Sequence, residues 1–143
     1  MALEFTLQGL VTDIDQLNRL YLQLRDVPEP VTAIFSQLEF SRGYLQVAAK
    51  QLAHCDVATV LALSHDGSLT KAFQTHRDEL IDLEIFIDPL SVLQHSGPGS
   101  NARNIVPWAK SEYAVVQKNC RRFQQHILEL NRRCDFLLAS LPS

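Results

Sequence analysis

Residues that interrupt or cross-link a chain are scarce in this 143-residue sequence, which contains five glycines, six prolines and three cysteines. The scarcity of glycine and proline excludes a collagen-like or low-complexity chain. Cys55, Cys120 and Cys134 include no C-x-x-C pair, and their odd number would leave one thiol unpaired in a secreted protein. We therefore expect a reducing compartment and predict a cytoplasmic protein.

Long apolar runs and an excess of basic residues are also absent. The apolar runs fall short of the ~18 residues that a membrane-spanning helix requires. The N-terminal segment has no basic stretch and contains Asp13 and Asp15, which predicts no signal peptide. Lysine and arginine total 13 against 16 aspartates and glutamates, a net charge of -3. Since general nucleic-acid-binding proteins carry a basic excess, we predict no nucleic-acid partner.

Motifs that carry catalysis or bind metal are missing as well. The sequence contains no G-x-S-x-G motif and no phosphate-binding loop. His54 and Cys55 are adjacent, and Cys120 and His126 are six residues apart, so neither pair shares a helix face as metal ligands would. We therefore predict no catalytic residue, no metal site and no cofactor, and we expect that the protein is not an enzyme.

The sequence is rich in apolar residues that are spaced alternately three and four apart. This spacing keeps one apolar face turned inward along an α-helix. Four such stripes occur, over residues 3–24, 31–52, 69–90 and 109–141. Pro28 and Pro30 separate the first two stripes, and Asp66 and Gly67 form a turn signal before the third.

The stripes predict an all-α fold, an antiparallel four-helix bundle that forms a single domain over residues 1–143. The predicted helices cover residues 3–26, 30–52, 68–94 and 107–140. The second helix either continues to about residue 63 or breaks near 53–56, where Asp56 would cap a fifth helix. Pro89 is expected to kink or end the third helix near Asp88, and Pro107 to occupy the first turn of the last one.

A histidine and two cysteines are among the residues at stripe positions. His76 lies on the third stripe, and Cys120 and Cys134 lie on the fourth. A histidine at such a position is more typical of a hydrogen-bonded core residue than of a metal ligand, and a buried cysteine behaves as a small hydrophobe. We predict that all three are structural, and that the two cysteines, two heptads apart on one helix, form no disulfide with each other.

Large apolar residues and arginines lie outside the stripes. Phe40, Val47, Ile85, Phe86 and Phe136 indicate either broad buried faces or a second face that packs against another copy of the chain. From residue 103 onward the chain carries a charge of +4, so the remainder carries -7. The basic third either pairs with acidic helices of its own bundle or forms a surface for an acidic partner or anionic lipid.

Three segments carry a resemblance to a known family. They are RDVPEPVTAIFSQLEFSRGYL (25–45), FQTHRDELIDLEIFI (73–87) and VPWAKSEYAVVQKNCRRFQQHILEL (106–130). Together they resemble the helical N-terminal domains of fungal NLR-like (STAND) and ankyrin-repeat proteins, the HeLo-like group, including the azaphilone-pigment-cluster protein type. Residues matching the long basic final helix of that family are Trp108, Ala109 and Glu112 at its start, then Arg121, Arg122 and His126.

The resemblance implies a cell-death or defence-signalling module that self-associates when a C-terminal sensor releases it. In the HeLo-like group the apolar first helix can then attack membranes. The first helix of this sequence departs from that pattern because it carries Asp13, Asp15, Asn18, Arg19 and Arg25. Each charge at the centre of a bilayer costs roughly 2.5–3.5 kcal/mol on insertion scales. Pore formation is therefore disfavoured, whereas oligomerisation is not affected.

The leading hypothesis is an interaction and signalling module whose partner is another copy of the chain, in a homodimer or higher oligomer. The alternatives are a membrane-perturbing effector that releases its first helix and a bundle that binds a small ligand between helices. Trp108 either pins the start of the last helix to the core or contacts the partner. The candidate interaction residues are Phe40, Val47, Ile85, Phe86, Trp108, Arg121, Arg122, Arg132 and Arg133.

Overall fold

The computed structural model describes the backbone of residues 2–24, 27–94 and 111–141, and the side chains of residues 3–24, 27–87 and 117–141. Within these ranges the chain forms five α-helices and no strand. The helices are α1 (Ala2–Leu22), α2 (Glu29–Ala53), α3 (Val57–Ser64), α4 (Ser68–Gln94) and α5 (Ser111–Ser140). The predicted all-α bundle is confirmed, in the form that has five helices.

The first helix ends at Leu22, earlier than the predicted residue 26. The amides of Gln23 and Leu24 donate to carbonyls three residues earlier, at 3.1 and 3.0 Å, which tightens the last turn and ends the α-helical pattern. Pro28 is extended, with φ -67° and ψ 153°, and α2 begins directly after it. The chain therefore leaves α1 several residues before the proline that the sequence indicated as the break.

The second apolar stripe lies entirely within α2, and a separate helix follows it. The helix α2 ends at Ala53, and the carboxylate of Asp56 accepts a hydrogen bond from the Thr59 amide at 2.8 Å. This N-cap satisfies one of the amides that a helix start leaves without a partner, so α3 begins at Val57. The break near 53–56 and the role of Asp56 are as the five-helix alternative predicted.

Pro89 does not end α4, whose backbone stays helical to Gln94. The predicted bounds of 68–94 are confirmed, and of the two effects expected of Pro89, a kink or an end near Asp88, the end does not occur. A proline removes only its own amide from the hydrogen-bond pattern, so the carbonyl of Ile85 loses a partner while the turns on either side keep theirs. The expected place of Pro107 in the first turn of the last helix lies outside the described residues.

Neighbouring helices can be ordered from the side chains that meet between them. Asn18 of α1 donates to Glu39 of α2, whereas Tyr21, further along α1, donates to Thr32, earlier in α2. These two helices therefore run antiparallel. The helix α2 runs parallel to α5, because its Ser41 hydroxyl contacts Asn131 and its Tyr44, one turn on, contacts Asp135.

The α4–α5 pair runs antiparallel and lies on the other side of the bundle. Arg133 donates to His76 in the first half of α4, and the ring of Phe123 lies beside that of Phe86 further along it. The helix α1 packs along both α2 and α4, so the order around the bundle is α1, α2, α5, α4. Among the described residues, backbone approach is sparser between α4 and α5 than at the other seams between long helices, and the short α3 packs against α4.

The predicted stripes supply the core. Every stripe residue of α2 is buried, as are the stripe positions of α5 from Cys120 onward. The large side chains with almost no exposed surface are Leu3, Leu7, Leu10, Ile14, Leu17, Ile34, Leu38, Leu45, Phe73, Leu83, Ile87 and Leu130. Removing each of them from water contributes about 1.5–3 kcal/mol, which makes this core the main source of stability.

Candidate functional site

Four polar side chains link α4 to α5 through a chain of hydrogen bonds. His76 is 3% exposed, and its Nδ1 lies 3.0 Å from Oε2 of Glu79, which is three residues further along the same helix face. The other carboxylate oxygen, Oε1, lies 3.0 Å from Nδ1 of His126 on α5. Nε of Arg133, two turns beyond His126, donates to His76 Nε2 at 2.9 Å. We call these four residues the seam network.

The protonation of His76 follows from its partners. A guanidinium can only donate, so Nε2 of His76 accepts from Arg133 and the ring proton sits on Nδ1, where it is donated to Glu79. Burial lowers the pKa of His76, and the positive charge of Arg133 acts in the same direction, against the opposing effect of Glu79. His76 is therefore a neutral, hydrogen-bonded core residue, as predicted.

The space beside the seam network is too small for a substrate. The cavity between His76, Glu79 and the apolar residues around them measures about 10 Å³, which is at the lower limit for one water molecule. Across the side chains that the structure describes, no three of His, Cys, Asp or Glu are grouped as metal ligands. We interpret the network as a polar link that holds two sparsely packed helices together.

The cysteines of α5 lie in the core. Cys120 is 1% exposed and Cys134 is fully buried. Burial raises the pKa of the Cys120 thiol to about 11 and that of the Cys134 thiol to about 12. Because the thiolate is the reactive form, the raised pKa values favour the unreactive thiol at neutral pH, and the burial of both side chains agrees with their predicted structural role.

A groove lies between α3, the first turns of α4 and the C-terminal half of α5. Its volume is about 680 Å³, because α3 packs on α4 and leaves α5 at a distance. Arg132, Arg133 and Glu129 line the wall that α5 contributes, and Asp66, just before α4, lines the groove from the other side, so its charges are mixed. The apolar residues that line it are Ala62, Leu63, Leu69, Ala72 and Phe136. We call it the α3–α5 groove.

Apolar side chains line the outer surface where α2 meets α5. Phe40 and Val47 are 61% and 47% exposed, and Tyr44 between them packs edge-on against Phe40 at 4.9 Å between ring centroids. The hydrogen bond from Tyr44 to Asp135 raises the pKa of the tyrosine and keeps it as a donor. Leu128, two turns before Asp135, is also exposed on this side of α5. Phe40, Tyr44, Val47 and Leu128 form what we call the α2 face.

The outer side of α4 combines apolar and acidic residues. Ile81 and Ile85 are 49% and 65% exposed, and Asp78 and Asp82 are exposed beside them. We call these four residues the α4 face. Phe86 instead points toward α5, where its ring centroid lies 5.8 Å from that of Phe123 and the side chain is partly buried. Of these two candidate interaction residues, Ile85 therefore lies on the surface and Phe86 lies at the edge of the core.

The four candidate arginines form two pairs on α5. Arg121 and Arg122 lie eleven residues before Arg132 and Arg133, about 16 Å along the axis. The Arg122 guanidinium lies 4.8 Å from the centroid of the Phe123 ring. None of the four forms an ion pair with a carboxylate in the described part of the chain, so the basic helix keeps its positive surface. Trp108 lies outside the described residues.

Sequence reasoning missed the seam network and the α3–α5 groove. One usable signal was present: His76 and Glu79 are three residues apart, and His126 and Arg133 are seven apart, which places each pair on one helix face. The pattern does not reveal that these two faces meet. The groove depends on the position of α3, and no periodicity encodes that position.

No protein-family model, curated protein or solved structure matches this chain. The resemblance to the HeLo-like domains is therefore carried by the sequence pattern alone. Of the helices described, none is both long enough and apolar enough to cross a membrane. The surfaces that could bind a partner are the α2 face, the α4 face and the α3–α5 groove.

Proposed function

We propose that the protein is a protein–protein interaction module that self-associates through the α2 face. The observation that carries the proposal is the row of Phe40, Tyr44 and Val47 on the outer side of α2, with two of the three side chains about half exposed or more. Contiguous apolar patches on a protein surface often mark sites of protein–protein interaction. Covering the row with an equivalent row removes it from water on both molecules.

The spacing of the row suits a two-fold contact. Phe40 and Val47 are seven residues apart, about 10.5 Å along α2. A two-fold axis near Tyr44 would place Phe40 of each copy against Val47 of the other, which is the reciprocal pattern of an isologous interface. The aromatic pair of Phe40 and Tyr44 suits the centre of such an interface, where aromatic residues are enriched.

The resemblance to the N-terminal domains of fungal NLR-like proteins adds a biological role to the proposal. In that role the module takes part in cell-death or defence signalling, and association of its copies transmits the signal. The proposal does not depend on an enzyme activity. We expect the strength of the signal to increase with the degree of association.

The arrangement of α1 weighs against the membrane-perturbing alternative. Asp15 and Asp13 of this helix pair with Arg42 of α2 and Arg77 of α4. Release of α1 would break both ion pairs, although these partly exposed contacts contribute only about 0–1 kcal/mol each. The larger cost is exposure of its buried leucines and isoleucine, at about 1.5–3 kcal/mol for each side chain.

Sedimentation velocity at micromolar concentrations tests the proposal. The wild-type chain is expected to form dimers, and the Phe40→Ser/Val47→Ser double variant to associate at least ~30-fold more weakly, as for the loss of a hot spot. Phe5→Ser is the matched control, because Phe5 is 70% exposed and lies on α1, outside the α2 face. A wild-type mass that stays monomeric over a tenfold concentration range, or equal association of the double variant, would contradict the proposal.

A further inference from the structure

Arg133 belongs both to the seam network and to the lining of the α3–α5 groove. Its Nε donates to Nε2 of His76 at 2.9 Å, and the same side chain lines the groove beside Glu129. His76 is 3% exposed, whereas Arg133 is an exposed residue. The arginine side chain therefore lies between a buried ring on α4 and solvent-accessible space.

The hydrogen bond between Arg133 and His76 requires a neutral ring. A guanidinium has no acceptor, so Nε2 of His76 has to offer its lone pair. Since Nδ1 already carries the ring proton, a second proton would enter at Nε2 and would place two donors and two cations opposite each other. Like charges at hydrogen-bonding distance repel, so one of the two side chains then has to move.

The histidine ring is held in place on its other side. Its Nδ1 lies 3.0 Å from Oε2 of Glu79, and this contact becomes an ion pair when the ring is protonated. The second oxygen of Glu79 lies 3.0 Å from Nδ1 of His126 on α5. Because the ring is buried and has a carboxylate partner, the exposed Arg133 side chain is the one that moves.

Glu129 offers Arg133 a second partner on its own helix. It lies four residues before Arg133, so the two side chains are neighbours on one face of α5, and both line the groove. A glutamate four residues before a cation is the favourable order for such a pair. Neither residue forms an ion pair with any side chain that the structure describes, so Glu129 is available once Arg133 leaves the ring.

We propose that Arg133 is a two-position switch that is set by the charge of His76. Beside the neutral ring it joins α5 to α4, and when the ring is protonated it turns to Glu129. The charged groups that act on the ring are Glu79, Arg133 and Glu129, with His126 joined through Glu79. Among the described residues, α1 and α3 contribute none, although both pack against α4.

The switch operates in acid and changes both the seam and the groove. Burial, together with the charge of Arg133, lowers the pKa of His76, so the change falls below the ordinary histidine value of about 6.5. After it, only Glu79 and His126 of the seam network still join α4 to α5, while Arg133 and Glu129 neutralise each other in the groove. None of these residues belongs to the α2 face, so the switch does not depend on self-association.

Nuclear magnetic resonance of the isotope-labelled wild-type chain, from about pH 7.5 to about pH 4.5, tests the switch. The ring nitrogens of His76 report its protonation, and the Nε and Cζ signals of Arg133 report the surroundings of the guanidinium. We expect both sets of signals to move with one midpoint. The Overhauser contact between the Cδ protons of Arg133 and the His76 ring should disappear through the same midpoint, whereas the signals of Arg132 should not follow it.

Substitutions identify the two partners of the arginine. Arg133→Gln removes a positive charge beside His76 and is expected to raise the pKa of the ring, whereas Arg132→Gln, its matched control, should not. Glu129→Gln is expected to lower this pKa and to change the signals of Arg133 in acid, with Asp82→Asn as the control on the exposed side of α4. In His76→Gln the side-chain oxygen accepts from Arg133 at every pH, so the movement should be abolished.

Three results would overturn the inference. The first is an Overhauser contact between Arg133 and the His76 ring that persists after the ring is protonated. The second is a ring that stays neutral until the whole bundle unfolds, which circular dichroism at each pH detects. The third is a set of acid-state Arg133 signals that is the same in Glu129→Gln as in the wild-type chain, since Glu129 would then not be the second partner.

Discussion

At the scale of single residues, two glycines in helices have different neighbourhoods. A Cβ placed on Gly9 of α1 would lie 2.6 Å from the guanidinium of Arg77, which crosses the glycine to reach Asp13. A Cβ on Gly43 of α2 would meet no atom within 4 Å. Gly9 therefore provides space for an ion pair between α1 and α4, whereas Gly43 has no comparable role.

We predict that Gly43→Ala raises the free energy of unfolding by about 0.5–1 kcal/mol, because alanine is the better helix former. Gly9→Ala is expected to raise the free energy of unfolding less than Gly43→Ala does, or to lower it, because the Arg77 guanidinium has to move away from Asp13. Urea unfolding of the two variants measures the difference. In an Arg77→Ala background, Gly9→Ala should raise the free energy of unfolding as much as Gly43→Ala does. Equal effects of the two glycine substitutions in the wild-type chain would refute the role given to Gly9.

At the scale of helices, the apolar spacing was sufficient to predict most of the fold. The stripe of α2 was predicted residue by residue, and Asp56 was recognised as a possible cap because aspartate accepts hydrogen bonds from the first amides of a helix. For Pro89 the sequence left open a kink or an end of the helix, because proline disfavours a helix interior, and the backbone stays helical to Gln94 as the predicted bounds required. The contact of His76 with Arg133 was not predictable, because 57 residues separate them.

The cap of α3 gives a prediction at the same scale. Asp56→Ala removes the acceptor of the Thr59 amide and is expected to lower the free energy of unfolding by about 1 kcal/mol. Asp56→Asn, which keeps an oxygen acceptor at this position, should cost much less. Hydrogen exchange of the Thr59 amide checks the mechanism: it should become faster in the alanine variant than in the asparagine variant. Equal exchange rates in the two variants would argue against the cap.

At the scale of the whole molecule, the seam network makes stability depend on pH. The groups that face His76 are Glu79 on its own helix and Arg133 and Glu129 on α5, with His126 joined through Glu79. The pKa of His76 is lowered in the folded protein, mainly by burial, so the unfolded chain binds its proton more readily. The stabilisation by neutral His76 is complete above the unfolded pKa of about 6.5 and is lost as the pH falls through the lower, folded value.

We therefore expect the free energy of unfolding to fall between pH 7.5 and pH 5.5, and to fall less in His76→Gln than in the wild-type chain. Glutamine keeps a polar side chain at this position but does not titrate. His65→Gln is the control, since His65 is exposed and lies outside the seam network. Urea unfolding at pH 7.5 and at pH 5.5 gives the free energy of unfolding of each protein at both pH values. Parallel pH profiles of His76→Gln and the wild-type chain would show that this histidine is not the titrating group.

The order of helices around the bundle has a consequence for its cooperativity. Each long helix packs against two others, one that is adjacent to it in sequence order and one that is distant in sequence. Thus α1 packs against α2 and α4, and α5 packs against α4 and α2. Neither α1 with α2 nor α4 with α5 can bury its apolar stripes alone. The two helical hairpins thus complete a single core between them, and the loss of any one long helix uncovers two others. Such an arrangement favours all-or-none unfolding of the whole bundle over melting in halves.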